Sequence, residues 1–124
     1  MSPPPITLYG ITNCDTVKKS RTWLTQHGVS YAFHDFKKQG VPADELAKWV
    51  TELGWEPLVN KKGTTWRKLT AESQAAVADA ASAQALMLRE PSVIKRPVVV
   101  SESGSGQKIS VGYAPETWAT WAKL

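Results

Sequence analysis

One side chain in the sequence can become a strong nucleophile: Cys14, the single cysteine of 124 residues. It lies in the stretch Leu8-Tyr9-Gly10-Ile11-Thr12-Asn13-Cys14-Asp15-Thr16-Val17-Lys18-Lys19-Ser20-Arg21, which runs from an apolar strand through a polar turn into a helical pattern. At that junction the first unpaired helical N–H groups and the helix dipole favour an anion, and so thiolate over thiol. Two readings stand at this point: a reactive thiolate, or a small buried hydrophobe, the usual fate of a free cysteine. Lys18 lies four residues on, about one helical turn, and stays on the thiol's side of the helix. Its other reading, shared with Lys19, is a solvated helix face. Asp15 opposes a thiolate by like charge, and a capping role fits it better. Thr12 and Asn13 either hydrogen-bond the thiolate or simply form the turn. His27 and His34 stand at no spacing that demands catalysis or a metal, and both read as structural.

The elements that must position Cys14 follow from periodicity. Ile6–Tyr9 is a short β-branched and aromatic strand ending in Gly10. Thr16–Gln26 reads as a helix, capped by Asp15 or Thr16 and stopped by Gly28. Ser30–Phe36 alternates and reads as a second strand. Strand, helix and strand at this spacing make a right-handed βαβ unit with parallel strands. Lys37–Gly40 reads as a polar loop. A helix opens at Val41-Pro42-Ala43-Asp44-Glu45, carries Leu46, Trp49, Val50 and Leu53, and stops at Gly54. Trp55–Trp66 reads as irregular, broken by Pro57, Asn60 and Gly63. Thr70–Ala80 and Ser82–Arg89 read as helices, the second halted by Pro91. Val98-Val99-Val100 is a buried strand entered through Pro97. Ser101–Gln107 turns, Lys108–Gly112 returns as a hairpin, and Pro115 opens a last helix. The order predicts an α/β fold: a four-stranded mixed sheet, its first two strands parallel and its last two antiparallel, covered by helices in the thioredoxin-like manner with a helical insertion.

Bulk properties bound the rest. The chain is 42% hydrophobic and 21% charged, which suits one globular domain with a real core. One cysteine excludes an internal disulfide and a cysteine-rich metal site and fits a reducing, cytoplasmic compartment. The Met1-Ser2-Pro3-Pro4-Pro5 start has no basic or apolar region of a signal peptide, and residues 1–5 read as a flexible tail. No stretch reaches membrane-spanning length. The net charge of +4 is spread over short clusters such as Lys61-Lys62, Arg67-Lys68 and Lys95-Arg96, with no run that reads as a nucleic-acid tail. With no long apolar stripe left over once the helices pack, a monomer is expected.

The segment around Cys14, together with Asn60–Leu69, Pro91–Val98 and Val111-Gly112-Tyr113, resembles the arsenate-reductase-like (ArsC/Spx) family, and within it the YffB subgroup. The likeness runs from Ile6 to Leu124. It implies a thioredoxin-like domain over residues 6–124 with a helical insertion at about 41–92. It implies a nucleophilic Cys14, an Arg96 pointing toward it, and a cis Arg96–Pro97 bond. Around these, Thr12, Asn13, Lys18, Lys62 and Pro97 are the candidate substrate-binding positions. The sequence departs from the family at three places. Redox regulators of the Spx type carry Cys-x-x-Cys, and the second position here is Val17. Arsenate reductases of the family carry a histidine where Gly10 stands. Of their three oxyanion arginines, only Arg96 matches plainly; the second falls at or near Lys62 and the third at Gly112. A lysine is a point charge, not a bidentate fork.

The expectation is therefore a glutathione-dependent monothiol reductase. The Cys14 thiolate forms a mixed disulfide that an external thiol resolves. No bound cofactor is expected; glutathione is the co-substrate, its two carboxylates suited to Lys18, Lys62 and Arg96. The partners expected are glutathione or glutaredoxin, and a small-molecule or protein thiol or disulfide. A glutaredoxin-coupled arsenate reductase is the alternative within the same chemistry. A Spx-like regulator that binds RNA polymerase is the alternative of another class.

Overall fold

The computed structural model describes residues 5–103 and 106–124. They form two compact units: the chain up to Gln39 together with Arg96–Leu124, and Gly40–Lys95. The flexible-tail expectation for residues 1–5 falls almost wholly outside the described residues.

The first unit is built on a four-stranded mixed sheet of order β2-β1-β3-β4. Its strands are β1 (Ile6–Gly10), β2 (Ala32–Asp35), β3 (Val98–Ser103) and β4 (Gly106–Val111). β1 pairs in parallel with β2, from Thr7 opposite Ala32 to Gly10 opposite Asp35. It pairs antiparallel with β3, with Tyr9 opposite Val98. β3 and β4 form the expected hairpin, with Val98 opposite Val111; residues 104 and 105 of its turn lie outside the described residues. A central strand is buried on both faces, which is why β3 tolerates an unbroken valine run rather than alternation.

α1 (Asp15–Gln26) turns Val17, Ser20 and Leu24 inward. Ser20 is tolerated there because its hydroxyl donates to the Thr16 carbonyl at 2.7 Å. Val17 and Leu24 join Ile6, Leu8, Val29, Val99 and Trp118 in one apolar cluster. Trp118 comes from α7 (Pro115–Trp121), and its indole N–H donates to the buried Ser110 hydroxyl at 2.8 Å. That bond lets a tryptophan sit wholly inside.

The second unit contains α3 (Ala43–Leu53), α4 (Thr64–Lys68), α5 (Ala71–Ala75) and α6 (Ala80–Arg89), with short 3-10 turns at Glu56–Leu58 and Pro91–Val93. α3 buries the expected stripe of Leu46, Trp49 and Val50. An antiparallel bridge between Val59 and Ile94 ties the two ends of the unit together. The Asn60 amide donates to Val93 and the Lys95 amide to Leu58 on either side of it, at 2.8 and 2.7 Å.

Several boundaries differ from the sequence expectation, each for a local reason. Lys37–Gly40 is not a loop: α2 (Phe36–Gln39) starts directly from β2, because the Asp35 carboxylate accepts from the Lys37 amide and the Gln39 side chain accepts from the Asp35 amide. Part of the supposedly irregular segment is α4, entered from Gly63. The Ala-rich helix expected to reach Ala80 ends at Ala75. Asp79 then starts a new helix through a reciprocal capping box with Ser82, and this local signal outweighs alanine propensity. The cap of α1 is neither Asp15 nor Thr16 but Cys14 itself.

β1 and α1 meet at Gly10. A Cβ on Gly10 would lie 2.8 Å from Val17 Cγ2, closer than carbon atoms approach. Gly10→Ala is expected to destabilise the protein by about 1–3 kcal/mol through overpacking. The same change in a Val17→Ala background should cost much less. Urea unfolding of the four-protein cycle measures the coupling, and additive costs would overturn it. In the second unit, the Ser82 backbone amide, and then its hydroxyl, hold the Asp79 carboxyl below the usual carboxylate value. Its stabilisation is fully present above the unfolded pKa near 3.9 and is lost as pH falls through the folded value. An NMR titration of Asp79, repeated in Ser82→Ala where the shift should shrink, checks this.

Candidate functional site

The sheet register brings together one row of backbone from four distant parts of the chain. Gly10 stands opposite Asp35 on one side. On the other, continuing the Tyr9–Val98 pairing by one residue brings Pro97 beside it. The next neighbour is Gly112, whose amide donates to the Pro97 carbonyl at 2.8 Å. Chain leaves this end of the sheet toward Cys14 from β1 and enters it from Arg96 into β3. The Arg96–Pro97 peptide bond is cis, as the family resemblance implied.

Cys14 is the N-cap residue of α1, with extended backbone at φ −151° and ψ 120°. Its carbonyl already accepts the first helical bond, from Lys18 N–H at 2.9 Å. An N-cap side chain is the one that the amides of the first turn face, and the Cys14 thiol makes no capping bond there. The residue is half-buried, packed on the edge of the cluster that holds Val17, Leu24 and Trp118. One flank of the sulfur is thus apolar and the other open, the combination an accessible nucleophile needs.

Each predicted position can now be placed. Thr12 and Asn13 are exposed in the short link between β1 and α1. Lys18 is exposed one turn beyond Cys14. Arg96 is half-buried and Pro97 buried, both immediately before β3. Lys62 belongs to the second unit, exposed, its amide donating to the Asn60 side chain at 3.2 Å. Its neighbour Lys61 is the lysine that faces aromatic rings, 5.7 Å from Trp55 and 5.6 Å from Trp66. Cys14, Thr12, Asn13, Lys18, Arg96 and Pro97 all belong to the first unit, where the strand register joins the Cys14 and Arg96 segments.

The departures from the family pattern also have structural reasons. Val17 is fully buried against Gly10, so the position of a second cysteine is filled by packing. Gly10 has no room for any side chain while Val17 is present. Gly112 has φ of +85°, a conformation that L residues other than Asn and Asp rarely adopt. Two features escaped sequence reasoning. Lys19 stands over the Tyr113 ring at 4.2 Å, joining α1 to the segment after β4. The Arg21 guanidinium stacks over Phe33, also at 4.2 Å. Neither has a local signature, because each pairs residues from different elements. Among the described residues no three His, Cys, Asp or Glu side chains gather to hold a metal ion, and no helix is long and apolar enough to cross a membrane.

Comparison with known proteins agrees with this architecture. The model of the ArsC family matches residues 9–121. A solved structure described as the YffB protein is similar with 45% identity and a TM-score of 0.84, over 94% of this chain and 98% of that one. The solution structure of an arsenate reductase (ArsC) related protein from Brucella melitensis is 46% identical with a TM-score of 0.70, over 97% and 96%. The global transcriptional regulator Spx of Listeria innocua is 25% identical over 113 residues, 87% of this chain and 79% of the regulator. With a family match that runs from the end of β1 through the Cys14 loop, the Arg96–Pro97 turn and the last helix, the chain belongs to the ArsC family.

Proposed function

We propose that this protein is a glutathione-dependent monothiol reductase. The observation that carries the reading is Cys14 as the half-open cap of α1, in a chain with no second cysteine. In the first step the Cys14 thiolate attacks a disulfide R–S–S–R′. A Cys14–S–S–R bond forms, the substrate's S–S bond breaks and R′S⁻ leaves. In the second, a glutathione thiolate attacks the R sulfur of that mixed disulfide, giving R–S–S–glutathione and the free Cys14 thiolate. Arg96, entering β3 at the same sheet end, is the catalytic cation in this reading, favouring thiolate and negative leaving groups. Thr12, Asn13 and Pro97 line the approach, and Lys18 supplies further positive charge.

The same observations weigh against the two alternatives. Arsenate reduction gains from bidentate arginines and a neighbouring histidine, and Gly10 and Gly112 stand at those places. A dithiol switch of the Spx kind needs a second thiol, and Val17 stands there.

Three measurements test the reading. At neutral pH, iodoacetamide should alkylate Cys14 faster than it alkylates free glutathione; a slower reaction would count against an activated thiol. Reduction of a small disulfide should depend on glutathione and vanish in Cys14→Ser, while arsenate supplied with glutathione and glutaredoxin should give no comparable turnover. RNA polymerase association that survives Cys14→Ser would favour the regulator instead. The N-cap geometry adds a stability readout. Serine is a strong cap and the thiol here makes no capping bond, so Cys14→Ser should be at least as stable as the parent and about 1 kcal/mol more stable than Cys14→Ala in urea.

A further inference from the structure

α1 carries a second feature that the thiol chemistry above does not use. Its exposed side forms one wall of an open cleft of about 400 Å³, lined by Lys18, Arg21, Thr22, Thr25, Gln26 and Tyr31. The lining holds two cations, several hydroxyls and an amide, and no acidic residue. Lys18, Thr22 and Thr25 continue at helical spacing the stripe that begins at Cys14, so the cleft opens one turn beyond the thiol and leads away from it.

Arg21 is held in place before any ligand arrives. Its guanidinium carbon lies 4.2 Å from the centre of the Phe33 ring. Its Nε–H donates to the Tyr31 hydroxyl at 3.0 Å. Stacking fixes the plane, and the hydrogen bond occupies the Nε edge, so the remaining fork is the end-on one across the two Nη atoms. Among the described residues neither Arg21 nor Lys18 has a carboxylate partner, whereas Lys48 of the second unit pairs with Glu45. A stacked, oriented and unneutralised arginine beside a lysine, with hydroxyls around it, is built to receive a carboxylate. Arg21 stands about 10 Å along the helix from Cys14 at 1.5 Å per residue. A peptide thiol joined through a central cysteine covers that distance with one of its arms together with the length of the Arg21 side chain.

We infer that this cleft is the carboxylate subsite for a tripeptide-sized anionic thiol joined to Cys14, with Arg21 the anchoring residue and Lys18 its partner. The inference rests on the monothiol reading and extends it. The substrate class becomes disulfides in which one half is an anionic peptide thiol such as glutathione. The Cys14 thiolate attacks the glutathione sulfur of R–S–S–glutathione, R–S⁻ leaves, and the carboxylate arm of the bound half lies in the cleft. A second glutathione thiolate then attacks that same glutathione sulfur, releasing oxidised glutathione and the Cys14 thiolate.

The test uses the whole protein with Cys14 converted to its neutral 2-thiopyridyl disulfide. Glutathione thiolate attacks Cys14 Sγ, the S–S bond to the pyridine thiol breaks, and thiopyridone release gives the rate constant. β-Mercaptoethanol, an uncharged thiol, gives the reference rate constant. In the parent protein the ratio of the two, corrected for the ratio with free cysteine, should favour glutathione. Arg21→Gln should lower that ratio about fivefold and Lys18→Gln about twofold. Lys18→Gln alters an exposed residue that bonds to no other side chain among the described residues, so it reports even where Arg21→Gln loosens the stack on Phe33. An unchanged ratio in both variants, with normal labelling of Cys14, would overturn the cleft and leave the monothiol reading intact. Failure of Cys14 to exchange with any thiol would instead remove the reading beneath it.

Discussion

The antiparallel pairing of β1 with β3 is the constraint on which the rest depends. With Tyr9 opposite Val98, the chain departs toward Cys14 from the same edge at which it arrives from Arg96. More than 80 residues separate these positions. A slip of one residue would send each side chain of β3 to the other face of the sheet and shift the Arg96 entry relative to the Cys14 exit. The valine run, the amide of Gly112 on the Pro97 carbonyl and the Trp118–Ser110 bond all reinforce one register. The chemistry of the site is therefore anchored by apolar packing, in strands that carry no reactive group.

Much of this was legible in the residues. A β-branched run ending in glycine, a helical stripe and an aromatic alternation define the βαβ unit, and the valine run with its return strand defines the hairpin. The placement of Cys14 at a strand-to-helix mouth followed from the same pattern. What could not be read were interactions between elements. The stack of Arg21 on Phe33 and the position of Lys19 over Tyr113 depend on how strands and helices face one another. The short helices were lost for a different reason. α2 and α4 have five residues or fewer, too few for periodicity to register; α2 is signalled by one side chain, Asp35, and α4 is entered from Gly63 with no side-chain cap. The division between α5 and α6 was written in the sequence, as Asp79 three residues before Ser82, but alanine content masked it.

The helix that carries the thiol divides its labour by face. Val17, Ser20 and Leu24 hold it to the sheet. Lys19 and Arg21 clamp it at aromatic rings from other elements. Its N-cap position is given to Cys14, whose side chain makes no capping bond, a position where serine, threonine or aspartate would cap more strongly. Rigidity of this support bears on the proposed chemistry, because an attacking thiol displaced by even about an ångström loses its line of approach.

The contact between Gly10 and Val17 also restricts how this sequence can change over time. The two positions are those at which the family's other chemistries place a histidine and a second cysteine. No side chain enters at 10 while Val17 keeps its two methyl groups in the way. A route toward a histidine-bearing site must first shrink residue 17, and the intermediate bears a cavity before it gains a function. The order of substitutions is biased by a single close contact, a case of historical contingency written into packing.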